Sequence, residues 1–178
     1  MNDKLPIFYV SLLLAILSAI AIFIFRQIFR TRRIESRFDK LQTKLQKEAG
    51  DPKEYYELAS LYLDKKLYVK AIQLLQRALK VGETVEPENQ ALVYNALGFA
   101  YAAQEQYDLA IRQYKEAIKL NADYPTAYNN LGSVYEKKKL TAQALEAYEA
   151  SLQVEPDNKT AKRRAEALRK RFSPASSS

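Results

Sequence analysis

The stretches YNALGFAY at residues 94–101 and YNNLGSVY at residues 128–135 decide the fold of this chain. Both place tyrosine, leucine, glycine and a second tyrosine at the same offsets, and they lie 34 residues apart. A related copy, YYELASLY at residues 55–62, has alanine in place of the glycine and precedes the second copy by 39 residues. Offsets of three and four put these side chains on one face of a helix. The sequence therefore predicts three related helices.

A second apolar helix is predicted after each copy. Alanine follows the second tyrosine after nine residues in all three copies, and a small residue follows seven residues later; the positions are Ala71, Ala78, Ala110, Ala117, Ala144 and Ser151. Small residues facing large ones let two antiparallel helices interlock at close range. Each helix pair leaves an apolar face uncovered and has to stack on a neighbour. The pattern predicts three stacked helical hairpins, in which eight of the 13 tyrosines are structural.

The period and the residue pattern resemble the tetratricopeptide repeat, a helix–turn–helix unit that stacks into a solenoid. The resemblance implies an all-α fold with repeats at 51–85, 91–124 and 125–158, of a kind that holds partners together. A basic helix at 159–172 is expected to cap the solenoid, with a basic patch for lipid or nucleic acid as the alternative, and 173–178 to form a disordered tail. Five extra residues within 81–90 predict a lengthened loop or, alternatively, an acidic docking loop.

An apolar segment precedes the repeats. Residues 5–25 carry no charged side chain, and as a helix they would span roughly 30 Å, the thickness of a bilayer's hydrocarbon core. A secretory signal cleaved near Ala19-Ile20-Ala21 is the rival interpretation, but the apolar run continues to Phe25. Five arginines follow within residues 26–37, which favours a cytoplasmic or stromal location for the carboxyl-terminal side. Residues 1–30 are therefore expected to form a single uncleaved transmembrane anchor with its flanks.

Residues 31–50 are expected to form a basic amphipathic linker helix. Ile34, Phe38, Leu41 and Leu45 fall on one face, and lysines and an arginine on the other. The stripe would pack on the first repeat; a helix lying on anionic lipid headgroups is the alternative. Residues 50–52, Gly-Asp-Pro, give a helix stop, an N-cap and a first-turn proline, so the repeats should begin there.

Composition limits the available chemistry. The chain has no cysteine and no histidine, which excludes thiol nucleophiles, histidine general bases, iron–sulfur ligation and most transition-metal sites. Its four glycines form no phosphate-binding loop. Basic residues near the carboxyl terminus lack the interleaved aromatics that nucleic-acid binding favours. We therefore expect a non-catalytic protein with no cofactor, no metal, no small-molecule substrate and no nucleic-acid partner.

The resemblance also implies a peptide groove, lined by the first helix of each repeat. Its aligned positions in this chain mix amides, hydroxyls and a few apolar side chains, suited to an extended or helical segment, although a solvated face is the alternative for each residue. Only Lys53 is cationic, so the carboxylate clamp of tetratricopeptide co-chaperones is not expected. The candidate groove residues are Tyr56, Ser60, Leu92, Asn95, Phe99, Asn129, Asn130 and Ser133, and the remaining aligned positions are Lys53, Leu63, Ala102, Thr126 and Glu136.

The combination of an amino-terminal anchor, a basic linker, three repeats and a basic cap resembles the membrane-anchored tetratricopeptide proteins of cyanobacteria and plastids that support photosystem I assembly. The resemblance implies an assembly or stability factor in the thylakoid membrane that binds photosystem I subunits or intermediates, with its repeats on the stromal or cytoplasmic face. The alternatives are a bacterial inner-membrane scaffold for an envelope, secretion or division complex, and an adaptor for a membrane-associated enzyme or chaperone.

Overall fold

Every regular element that the computed structural model describes, in residues 4–82 and 86–172, is an α-helix. The predicted all-α fold is thus confirmed, while the predicted tail at 173–178 lies outside the described residues. The chain forms two units, Met1–Glu48 and Ala49–Ser178. The helices are α1 (Lys4–Lys47), α2 (Pro52–Asp64), α3 (Tyr68–Val81), α4 (Pro87–Ala103), α5 (Tyr107–Leu120), α6 (Pro125–Lys137), α7 (Thr141–Val154) and α8 (Lys159–Phe172).

The first unit is the single helix α1. No glycine or proline occurs between Ile7 and Ala49, so nothing in the sequence interrupts the helix, and it runs unbroken through the segments predicted separately as anchor and linker. Its large apolar side chains from Phe8 to Phe29 are exposed. Within the described residues it is the one helix long and apolar enough to cross a membrane, a property that signal sequences share.

The second unit is a stack of helix pairs. α2 packs on α3, α4 on α5 and α6 on α7, and each second helix also packs on the first helix that follows it, ending with α7 on α8. The first helices contact one another directly, α2 with α4 and α4 with α6. The three predicted hairpins and the predicted solenoid are therefore present.

Each hairpin turns through the same backbone motif. Lys66, Glu105 and Lys139 have φ values of 59°, 59° and 61°. The amide that follows each of them donates to the carbonyl of the motif's second tyrosine, over 2.8 Å from Leu67 to Tyr62, with the equivalent bonds in the other two turns. A second bond runs from the amide of the positive-φ residue to the carbonyl of the residue that follows this tyrosine. The two bonds form a Schellman motif, which ends the first helix of each hairpin.

The glycines of the repeat motif face the second helix of their own hairpin, where each meets a tyrosine ring. A Cβ atom added to Gly98 would lie 2.6 Å from the ring of Tyr114, and one added to Gly132 would lie 2.9 Å from the ring of Tyr148. Both rings are buried. Five of the eight repeat tyrosines are buried, and Tyr94, Tyr101 and Tyr128 are half-buried. The tyrosine ring therefore fills the space that the absent glycine side chain leaves open.

The extra residues between the first and second copies of the motif mostly lengthen a helix, which corrects the expectation of a lengthened loop. α4 begins at Pro87, seven residues before its first motif tyrosine, whereas α2 and α6 begin three residues before theirs. Pro87 at the first helical position has the φ that a helix needs and lacks the N–H that would otherwise be unpaired there, which favours this earlier start. Gln90 on the added turn donates to the Gly82 carbonyl over 3.3 Å.

The last helix caps the stack. Ala161, Ala165 and Leu168 of α8 are buried in a cluster that includes Tyr135 and Tyr148. The opposite face of α8 is exposed. This arrangement confirms the predicted capping helix.

Candidate peptide-binding groove

The candidate groove lies along the first helices of the three repeats. Each begins with proline at its first turn: Pro52, Pro87 and Pro125. At α2, Asp51 accepts a hydrogen bond from the Glu54 amide over 2.8 Å and completes a capping box, as the sequence predicted for its N-cap. Because the first helices contact one another directly, residues at equivalent positions form rows that cross the stack.

All eight candidate groove residues lie on these helices, but their surroundings differ. Leu92 and Phe99 are 38% and 47% exposed, although both are large apolar side chains. Ser133 is exposed as well. The remaining five, Tyr56, Ser60, Asn95, Asn129 and Asn130, are half-buried.

The amides of the second and third repeats bind each other. Asn130 Nδ2 donates to Asn95 Oδ1 over 2.9 Å, and Asn95 Nδ2 donates to the Tyr124 hydroxyl over 3.1 Å. Burial and the neighbouring Tyr56 raise the pKa of Tyr124, whereas the Asn95 bond opposes that shift. These contacts join α4 to the start of α6, so Asn95 and Asn130 help to hold two repeats together.

An equivalent bond joins the third repeat to the cap. Asn129 Nδ2 donates to Asn158 Oδ1 over 3.1 Å, and Asn158 also accepts the Ala161 amide over 3.0 Å at the start of α8. Asn129 and Asn158 lie 34 residues after Asn95 and Tyr124. Tyr124 and Asn158 were not among the predicted site residues, although each follows its asparagine by the same 29 residues in the sequence.

Glu136, which also aligns with the peptide groove, accepts hydrogen bonds from two other helices. Its Oε1 accepts the Tyr148 hydroxyl and the Arg164 Nε, each over 2.8 Å. Burial and the bond to Glu136 raise the pKa of Tyr148. The third repeat therefore uses Glu136 and Asn129 to attach α8, and these side chains are engaged within the protein.

An open cavity of about 470 Å³ lies between α2 and α4. Apolar atoms of Pro52, Tyr56, Leu92 and Val93 dominate its lining, and Asp51, Lys53 and Asn89 contribute polar groups. Sequence reasoning identified Tyr56 and Leu92 but missed Pro52, Asn89 and Val93. Asn89 belongs to the added turn of α4, so the five-residue insertion was the available signal.

The accessible surface of the first helices is mostly apolar around the cavity. The described residues include no group of three or more carboxylates, histidines or cysteines placed to hold a metal ion. The hydroxyl of Ser60, one of the candidate groove residues, donates to the Tyr56 carbonyl over 2.9 Å. What remains accessible is an apolar cavity, two exposed apolar side chains and their polar surroundings.

Comparison with known proteins identifies the repeats and their relatives. Residues 100–139 match the family described as TPR repeat, and residues 125–158 match the tetratricopeptide repeat. The chain is 37% identical over 130 residues to the uncharacterized protein ycf37 of Guillardia theta, covering 73% of each. It is 35% identical over 163 residues to the tetratricopeptide repeat domain-containing protein PYG7, chloroplastic, of Arabidopsis thaliana, covering 92% of this chain and 54% of PYG7.

A solved structure shares the fold. The first TPR of Spaghetti (RPAP3), bound to the HSP90 peptide SRMEEVD, superposes with a TM-score of 0.63 at 20% identity, covering 71% of this chain and 97% of that one. At this identity the likeness concerns the fold alone.

Proposed function

Because the chain belongs to the ycf37 family of tetratricopeptide-repeat proteins, we propose that it is a membrane-anchored scaffold for the assembly or stability of photosystem I. Tetratricopeptide repeats are protein-interaction scaffolds and typically lack catalytic activity. The chloroplastic designation of the Arabidopsis relative and the resemblance in overall layout support a thylakoid location. The partner is then a subunit or intermediate of photosystem I.

The cavity between α2 and α4 carries this proposal. It is open, mostly apolar and flanked on α4 by exposed Leu92, with Phe99 two turns further along the same helix. Exposed large apolar side chains beside a cavity are typical of sites that bind another protein. The occupant is a segment of a photosystem I subunit that inserts one large apolar side chain between the two helices.

The polar groups around the cavity restrict the occupant further. Among the described residues that line it, Lys53 is the one cation, so a segment gripped through several carboxylates does not fit. In the third repeat, Asn129 and Glu136 already bind α8. The working surface therefore lies mainly on the first and second repeats.

The helix α1 holds this scaffold in the membrane. Its exposed apolar side chains from Phe8 to Phe29 meet the hydrocarbon, and the arginines that follow keep the solenoid on the stromal or cytoplasmic face. Bilayer lipid is accordingly a partner of α1.

The test replaces Leu92 and Phe99 together by alanine in the full-length protein. Both side chains are exposed and lie outside the asparagine contacts between repeats, so the fold should persist. We expect the variant to lose most of the photosystem I subunits that the unaltered protein retains in pull-downs from solubilised thylakoids. A strain carrying only the variant should accumulate less photosystem I.

The matched control replaces Val69 and Leu109, exposed apolar residues on the second helices α3 and α5. This variant should retain the subunits. Normal pull-down and normal photosystem I accumulation with the Leu92/Phe99 variant would rule out this surface. Deletion of the gene without any effect on photosystem I would contradict the assembly role and favour the inner-membrane scaffold.

A further inference from the structure

The basic side chains of α8 divide into two sets with different surroundings. Arg164 and Arg169 bind carboxylates of preceding helices: Arg164 Nε donates to Glu136 over 2.8 Å, and Arg169 Nη2 donates to Glu149 over 2.7 Å. The second set is exposed and makes no ion pair with any residue in 4–82 or 86–172. It consists of Lys159, Lys162, Arg163 and Lys170, which are called here the α8 basic face, and of Arg171, which is exposed in the last turn but lies outside the arc of the other four.

The α8 basic face points away from the solenoid core. With about 100° of rotation per residue, its four side chains fall within roughly 100° of the helix circumference. The buried residues Ala161, Ala165 and Leu168 occupy the opposite side. Glu166, the single acidic residue of α8, lies on the same side, so four cations outnumber one carboxylate on the outward surface.

Capping alone does not account for these cations. A terminal repeat needs a polar outer face, which side chains of either charge supply. The preceding segment 51–158 has 16 acidic and 12 basic residues, so acidic side chains predominate elsewhere on the solenoid. The first turn of α8 holds no acidic residue, and Lys159 and Lys162 place positive charge at the helix end where the macrodipole disfavours it. Local helix stability is lowered here, as it often is at functional surfaces.

We propose that the α8 basic face binds the anionic lipid surface of the membrane in which α1 is anchored. The inference depends on the anchor proposed above, because α1 would tether the solenoid to one face of that membrane. Each lysine or arginine near an anionic surface strengthens attachment about fivefold. Anchoring by α1 and attachment by α8 together restrict how the groove is presented to a membrane complex.

The absence of cysteine from the chain allows a site-specific test on the full-length protein. A fluorophore is attached at Thr160→Cys, an exposed site beside the α8 basic face, and the vesicles contain nitroxide-labelled lipid. We expect strong quenching in vesicles of phosphatidylcholine with phosphatidylglycerol and little in phosphatidylcholine alone. High salt should abolish the difference, because exposed charges are screened.

The decisive variant is Lys162→Gln/Arg163→Gln/Lys170→Gln, which should lose the quenching in anionic vesicles. The control, Lys80→Gln/Arg112→Gln/Lys115→Gln, removes three exposed cations from α3 and α5 and should keep it. Equal quenching in neutral and anionic vesicles, or unchanged quenching in the decisive variant, would overturn the proposal. Loss of photosystem I subunits from that variant, without any lipid-dependent quenching, would instead assign the face to an acidic protein.

Flotation separates this inference from the proposed anchor. Flotation with both vesicle types, with quenching in the anionic vesicles alone, supports both the α8 contact and the anchor. Flotation with anionic vesicles alone, lost in the decisive variant, supports the α8 contact and contradicts the anchor. Failure to float with anionic vesicles overturns the α8 contact.

Discussion

Single residues set the spacing of the helices in this solenoid. At Gly98 the missing side chain lets the ring of Tyr114 lie against the α4 backbone, and Gly132 does the same for Tyr148. Both glycines sit inside helices, where alanine has a higher intrinsic propensity by about 1 kcal/mol. The close approach of the ring therefore outweighs an intrinsic preference for a larger residue.

We predict that Gly98→Ala destabilises the solenoid despite that propensity. Its Cβ would lie 2.6 Å from a buried ring, and overpacking of this kind typically costs about 1–3 kcal/mol. Urea unfolding of the full-length protein in detergent, followed by near-ultraviolet circular dichroism, measures the change. In a double-mutant cycle with Tyr114→Leu, the penalty of Gly98→Ala should shrink or change sign. An equal penalty in both backgrounds would refute the assigned contact.

At the scale of the element, α8 is held by side chains as well as by its apolar face. Glu136 on α6 binds both Tyr148 on α7 and Arg164 on α8, so one carboxylate links three helices. Burial raises the pKa of Tyr148, as does its bond to Glu136, and burial also raises that of Tyr114. The folded state therefore retains protons on these hydroxyls at pH values where the unfolded chain loses them.

The resulting pH dependence is on the alkaline side. A raised folded pKa contributes stability below the unfolded value, about 10 for tyrosine, and this contribution is lost as the pH rises towards the folded value. The free energy of unfolding should therefore fall above pH 10. Tyr148→Phe should be about 1 kcal/mol less stable at neutral pH, because a hydrogen bond is lost, and should decline less steeply above pH 10. Parallel urea-stability curves for the two proteins would contradict this role of Tyr148.

At the scale of the whole molecule, charge is distributed unevenly along the chain. Residues 26–50 have eight basic and three acidic side chains, and residues 159–178 have seven basic and one acidic, whereas the solenoid between them is mildly acidic. The net charge of +7 therefore arises from the two flanks. The excess positive charge therefore lies next to the apolar segment and at the capping helix.

The proposed orientation of the chain rests on the first of these basic segments. We predict that the full-length protein stays in the membrane pellet after alkaline carbonate extraction, as the proposed anchoring of α1 in the bilayer requires. Protease added to the stromal or cytoplasmic side should digest residues 50–178. Protection of the solenoid on that side would reverse the orientation, and recovery of a soluble, shortened protein would identify α1 as a cleaved signal.

The helix pairs, and the packing of small residues against a partner helix, could be predicted because they depend on local periodicity. Tyr94, Leu97, Gly98 and Tyr101 determine one helix face within eight residues. The bonds of Asn95 and Asn129 could not be predicted, because their partners lie 29 residues away and depend on the packing of successive repeats. The start of α4 was ambiguous, since a glycine and a proline both occur in residues 81–90 and each permits a different helix boundary.

The early start of α4 shows how this solenoid accommodates an insertion. Four added helical residues rotate the helix by about 400°, close to one full revolution, and lengthen it by about 6 Å. The first residue of α4 therefore lies on nearly the same side of the helix as it would without the added turn. Five residues, 82–86, separate α3 from α4, and four residues, 121–124, separate α5 from α6. Insertions of whole turns can thus extend one wall of the cavity, as Asn89 does here, while the stacking of the later repeats is preserved.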